Sequence, residues 1–192
     1  TPDDPLAAVP AGQRKLLDPV TGVLREGHLG SVLHKRIAPC RKDGLPGTVM
    51  AVQIDHLDRY VDHYGPEGVE PIFRHLGCYL QGAVREDDLL ARHQDDQIVI
   101  IMTAAPADAL VAAHRITEGI KQLEIDHAGT RLKVTTSVGL AGYPDHGASS
   151  RALLGHAAAA LDSARSKGRY LCVVYVPWMV ASRRTERDAT TF

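Results

Sequence analysis

The sequence predicts one α/β domain, a central mixed sheet of about five strands flanked by helices. Three observations carry this. Segments with helical apolar spacing interleave with short β-branched runs along the chain. One run, TVMAVQID at residues 48–55, is apolar almost throughout until Gln53, the pattern of a strand in the middle of a sheet. Residues 88–102 hold two apolar runs separated by the polar stretch His93 to Gln97, which reads as an antiparallel hairpin inside that sheet.

Taken in order, residues 1–13 carry Pro, Asp, Ala and Gly without periodicity and read as a leader or linker. After Asp18-Pro19, Leu29, Val32, Leu33 and Ile37 fall at helical spacing, predicting a helix over 27–37; CRKDGLPG at 40–47 follows as a loop. Beyond the strand at 48–55, residues 57–64 predict a short helix stopped by Gly65-Pro66. Residues 69–84 predict a longer helix with Ile72, Phe73, Leu76, Tyr79, Leu80 and Val84 on one face and Pro71 tolerated in its first turn. The hairpin comes next, then a helix over 106–123 with Leu110, Ala113, Ile116 and Ile120 aligned. A strand over 131–143, a loop at GYPDHG, an Ala-rich helix over 149–166 closed by Gly168, and a last strand at 170–176 complete the domain, 14–177. Residues 178–192 form a polar C-terminal tail.

Composition narrows the classes. Of 192 residues, 44% are hydrophobic and 23% charged, with a formal net charge of -1. That describes a soluble globular domain and argues against broad electrostatic binding to a nucleic acid polymer. No apolar run reaches the roughly 18–20 residues that span a bilayer, and the N-terminus lacks the blocks of a signal peptide. Cys40, Cys78 and Cys172 form no C-x-x-C pair, and their odd number fits reduced thiols in the cytoplasm. Neighbouring histidines (His56 with His63, His75 beside Cys78) make no four-ligand zinc set, so neither a metal nor a cofactor is expected. No catalytic triad or phosphate-binding P-loop is visible.

The hairpin tip poses a question. Tight turns need φ > 0, which glycine supplies most cheaply, yet this tip has none; Asp95 and Asp96 stand adjacent although their carboxylates repel. Five segments, in order, resemble a GGDEF domain of the diguanylate cyclase family. DPVTGVL at 18–24 is similar to D-x-L-T-G-L. VQIDHLDRYVDHYG at 52–65 is similar to L-D-x-D-x-F-K-x-x-N-D-x-x-G. REDDLLARHQDDQIVIIM at 85–102 is similar to R-x-x-D-L-x-A-R-x-G-G-D-E-F with its following strand. VTTSVGLA and LDSARSKGRY resemble V-T-x-S-I-G-V-A and the Y-x-A-K-x-x-G-R-N ending. The resemblance spans about residues 18–176 and implies a palm-like sheet, related to those of nucleotide cyclases and polymerases, on which two GTP-loaded domains make cyclic di-GMP.

Carried over residue by residue, the resemblance implies a degenerate, catalytically inactive member. The family's two metal carboxylates fall at Gln53 and Asp96, so half of the anionic charge that holds Mg²⁺ is gone. The two signature glycines are Gln94 and Asp95, whose side chains crowd a nucleotide, and Asp95 also repels its phosphates. The fourth signature position is Gln97. The guanine-reading Asn is Val61, its partner Asp is Glu70, and the phosphate-side Lys is Asp58. Only the late basic pair survives in kind, as Arg165 and Arg169.

What the resemblance retains is an inhibitory-type R-x-x-D site, here Arg85 and Asp88, ending five residues before the signature. An arginine fork can donate to O6 and N7 of one guanine, and a carboxylate can accept from N1 and N2 of another. Arg59-x-x-Asp62 and Arg92-x-x-Asp95 match the same pattern, so position alone singles out Arg85; a bland helix-end salt bridge is the competing reading. Arg115 corresponds to the arginine that completes this site, and Arg36 or Arg41 to one donated by a second copy. The expectation is a cyclic di-GMP receptor that passes occupancy to a signalling partner, a neighbouring domain or a homodimer mate. The alternatives are a nucleotide-independent interaction or dimerisation module, and a residual enzyme or GTP sensor using Arg165 and Arg169.

Overall fold

The computed structural model describes residues 5–7, 9–94, 96–127 and 129–179. The elements run α1 (Ala11–Arg14), α2 (Glu26–Asp43), β1 (Gly47–Ile54), α3 (Leu57–Gly68), α4 (Glu70–Ala83), β2 (Leu89–His93), β3 (Gln97–Met102), α5 (Pro106–Gln122), β4 (Ile125–His127), β5 (Thr130–Leu132), β6 (Thr136–Tyr143), α6 (Ser150–Ser166) and β7 (Cys172–Val174). Five strands form one mixed sheet in the order β2-β3-β1-β6-β7; β4 and β5 pair separately. All contacts in the large sheet are antiparallel except β6 with β7.

β1 is apolar on both faces because both are covered. Met50, Val52 and Ile54 join a core built with α4, α5 and the partly buried face of α3. Val49 and Ala51 point the other way, into a core with α2 and α6 that also takes up Tyr175 and Met179. The packed structure thus reaches Met179, past the expected end of the domain at 177; residues 180–192 of the expected tail lie outside the described residues.

Besides a last strand confined to Cys172–Val174 rather than 170–176 and a short α1 overlapping the expected leader, three boundaries differ from expectation for a visible physical reason. α2 runs on through Pro39 to Asp43, because Cys40 still falls on the buried stripe of Leu29, Leu33 and Ile37; Gly44, left-handed at φ 67°, ends it and donates to the Cys40 carbonyl. The single strand expected over 131–143 divides into β5 and β6. Between them the Thr135 carbonyl accepts from the Asp55 backbone N–H (2.8 Å), while Arg131 turns back to pair with Asp126. α3 continues to Gly68 only across a break at Gly65, where φ is 77° and ψ 168°.

Candidate functional site

The register of the sheet puts two clefts at its opposite ends. Gln53, near the C-terminal end of β1, faces Gln97 at the start of β3; Thr48 at the other end faces Met102. Five residues of extended chain separate Gln97 from Met102, about 17 Å.

The first cleft surrounds the hairpin tip. Gln53, Asp58, Val61, Asp62, Asp96, Arg165 and Arg169 are among its lining residues, around about 490 Å³. Gln53 is 5% exposed, and its amide Nε2 donates to Oδ2 of Asp96. Gln97 Nε2 donates to Gln94 Oε1 (3.1 Å), and Gln94, at φ 53°, has its backbone N–H bound by Oε1 of Glu26 (2.9 Å). The same Glu26 oxygen lies 3.1 Å from Nδ1 of His93. Asp95, the second signature position, lies outside the described residues. A divalent cation does not fit this donor set. Oδ2 of Asp96 already accepts the Gln53 N–H, and although Asp58 and Asp62 line the same cleft, no three His, Cys, Asp or Glu converge among the described residues. The two arginines make no ion pair among the described residues, and Nε of Arg169 is buried without a partner there.

Beside it lies a smaller, apolar recess of about 320 Å³, walled by Val20, Leu57, Val61, Val69 and Phe73, with Glu70 on its lip. Arg92 lays its guanidinium 4.3 Å from the Phe73 ring centroid. Val61 lines both cavities and offers neither a hydrogen-bonding side-chain group.

The second cleft, at the base of the hairpin, encloses about 680 Å³ and brings together Arg85, Asp88 and Arg115 with Asp108, Val111 and Thr103. They come from two pieces of the fold. Arg85 and Asp88 lie in the turn between α4 and β2, and Arg115 on the exposed face of α5. Asp88 is 8% exposed; its Oδ2 accepts the Arg85 backbone N–H at 2.9 Å, and its own N–H returns to the Arg85 carbonyl at 3.0 Å. The carboxylate therefore fixes the turn. Arg85 and Asp88 form no ion pair, and the Arg85 guanidinium has no hydrogen-bond partner among the described residues. The helix-end salt bridge that competed with a binding role is absent from this turn. Arg115 is steadied from one side, donating from Nη2 to the Ala83 carbonyl (3.0 Å). Of the two arginines expected to serve a second copy, Arg41 is engaged by its own chain, donating to the Ala148 carbonyl at 2.6 Å.

Sequence reading passed over two carboxylates that organise these sites. Asp55, 3% exposed, accepts from Thr135 Oγ1 (2.7 Å), Ser137 Oγ (2.6 Å) and the Tyr170 backbone N–H (3.1 Å). It ties the end of β1 to β6 and to the turn before β7. Glu26 grips the hairpin tip from α2. Asp55 is legible as the second acid of the D-x-D-like segment; nothing local to Glu26 signals its partner. The three cysteines are free, and burial pushes the thiols of Cys40 and Cys172 up, away from nucleophilic chemistry.

Comparison with known proteins gives a consistent set. Residues 15–170 match the family described as diguanylate cyclase, GGDEF domain. The chain is 28% identical over 153 residues to the probable diguanylate cyclase DgcC of Escherichia coli, covering 79% of this chain and 41% of DgcC. It is 27% identical over 155 residues to the response regulator PleD of Caulobacter vibrioides, covering 79% and 34%. The chain thus spans about two fifths or less of these relatives. Its fold resembles the GGDEF domain of TpbB (YfiN) from Pseudomonas aeruginosa at a TM-score of 0.82, 22% identity and coverage of 88% and 99%. It also resembles the GGDEF domain of DgcB from Caulobacter crescentus, solved in complex with c-di-GMP, at 0.76, 17% identity and coverage of 83% and 93%.

Proposed function

The chain belongs to the diguanylate cyclase GGDEF family, and we propose that within it this domain is a catalytically silent receptor, binding cyclic di-GMP in the cleft of Arg85, Asp88 and Arg115. One observation carries the reading: Arg85 and Asp88 of one turn and Arg115, further along the chain on α5, line one cleft, and the arginine best placed to fork onto a guanine has its guanidinium uncommitted among the described residues. Asp88 holds the turn through one oxygen, Oδ2, which leaves Oδ1 for the N1 and N2 donors of a base. The catalytic half of the proposal rests on the tip. Gln53 brings no charge, Asp96 is taken up by it, and Val61 reads no base. Occupancy then passes to a partner protein or neighbouring domain; the related diguanylate cyclase SiaD was solved with its activator SiaC.

Titration calorimetry with cyclic di-GMP tests the receptor. Binding by the wild type and its loss in Arg85→Ala are expected; indifference to millimolar ligand overturns the reading in favour of a nucleotide-independent module. Incubation with GTP and Mg²⁺ followed by chromatography is expected to give no cyclic di-GMP. A second reading, a phosphate-bearing ligand at Arg165 and Arg169, is favoured by the buried, unpartnered Nε of Arg169. Asp58, Asp62 and Asp96 line the same cleft and oppose it. Calorimetry with GTP decides that question separately.

A further inference from the structure

We infer that the Gln53 side chain replaces a metal ion as the tie between β1 and the signature hairpin, so that the tip is held without divalent cation. Two strand ends meet here, Gln53 on β1 and the Gln94–Gln97 turn between β2 and β3. If two carboxylates stood at 53 and 96, they would repel each other in a half-buried setting and need a cation between them. Gln53 removes that need by supplying the positive end of an N–H dipole in place of the ion. The bond from Nε2 to Oδ2 of Asp96 closes from a residue only 5% exposed.

The surrounding polar atoms fit the same substitution. Gln97, which faces Gln53 across the ladder, is 7% exposed and also an amide; it ties the turn from within through Gln94. Oε1 of Gln53 and Oε1 of Gln97 are buried without hydrogen-bond partners among the described residues. Both amides are therefore orientated by the bonds made by their nitrogens. Turning Gln53 over to offer Oε1 to an ion would break its bond to Asp96 and bring no charge. A cation approaching Asp96 Oδ2 meets the N–H that Gln53 already places there, and although Asp58 and Asp62 line the same cleft as Arg165 and Arg169, no three carboxylates converge on one point among the described residues. Outside the tip, Glu26 completes the support by binding the Gln94 N–H.

The experiment is thermal melting of the 192-residue chain in chelator and in millimolar Mg²⁺ or Mn²⁺. The wild type is expected to melt at the same temperature in all three, within about 1 °C. Gln53→Asp places a second carboxylate against Asp96. It is expected to melt about 4–8 °C lower in chelator and to recover at least half of that with metal. Asp96→Asn keeps an acceptor oxygen for Gln53 without the charge. It is expected to stay within about 2 °C of the wild type and to ignore metal, and this reading stands if Gln53→Asp does not fold. The inference fails if the wild type is stabilised by Mg²⁺, if Gln53→Asp matches it in chelator or is not rescued by metal, or if Asp96→Asn falls as far as Gln53→Asp does. No cyclic di-GMP enters the measurement, so its outcome is independent of the receptor reading.

Discussion

Replacing Gly139 by alanine tests the packing of the sheet on its helical cover. Gly139 lies in β6, between Ala51 of β1 and Val173 of β7. A Cβ at this position would fall 2.2 Å from the Ala157 carbonyl oxygen and 2.2 Å from the Leu161 backbone nitrogen, both in α6. Neither is a side chain that can swing away, so the whole helix must lift by about 1 Å to reach ordinary contact. α6 buries Leu153, Ala157, Ala160, Leu161 and Ala164, and a gap of that size forfeits roughly a quarter to a half of each dispersion contact. The cost is placed at the upper end of the overpacking range, about 3 kcal/mol, or a fall in Tm of about 6–12 °C for a domain of this size. On the same helix, a Cβ added at Gly155 would meet nothing within 4 Å. Gly155→Ala should therefore stabilise by about 0.5–1 kcal/mol through helix propensity alone. Circular dichroism melts and urea titrations of the two variants side by side measure both. A loss below about 1 kcal/mol for Gly139→Ala, or the same sign for both variants, refutes the reasoning.

Further outcomes follow from other sites. His146 accepts the Gly142 N–H on Nδ1 (3.0 Å), and burial, aided by His156 and opposed by Asp145, lowers its pKa below the ordinary 6.5. Its contribution to stability is complete above about pH 6.5 and lost as pH falls through the lowered value, because the unfolded chain then binds the extra proton. Melts between about pH 7.5 and 5 should show that decline, and His146→Gln should flatten it. Asp55→Asn should destabilise by at least about 2 kcal/mol in urea titration, since three donors converge on its oxygens and an amide turns one of them against an N–H. Arg115→Ala should weaken cyclic di-GMP binding about 10- to 100-fold by calorimetry while leaving Tm nearly unchanged, since the side chain is exposed.

The fold was largely legible because its signals are periodic. The apolar stripe of α4 and the doubly buried run of β1 depend only on local spacing. Where a boundary was set by a distant atom, the sequence was silent. The Thr135 carbonyl is claimed by Asp55, 80 residues earlier in the chain, and that bond ends the strand that spacing would have continued. The site divides the same way. The resemblance located Arg85, Asp88 and Arg115, but their meeting in one cleft depends on the α4–β2 turn, on α5, and on the Ala83 carbonyl that holds Arg115. Glu26 was invisible because it reaches a tip 68 residues away, and no pattern around it announces that partner.

The left-handed backbone at Gln94 has a consequence for the hairpin as a unit. A residue with a side chain pays about 1 kcal/mol to bend this way, where glycine would bend freely. The bend at Gln94 thus leans on Glu26, a neighbour in space, as well as on the Gln97 amide within the hairpin. A synthetic peptide covering 89–102 would abandon it, while Gln94→Gly within the intact chain would relax it.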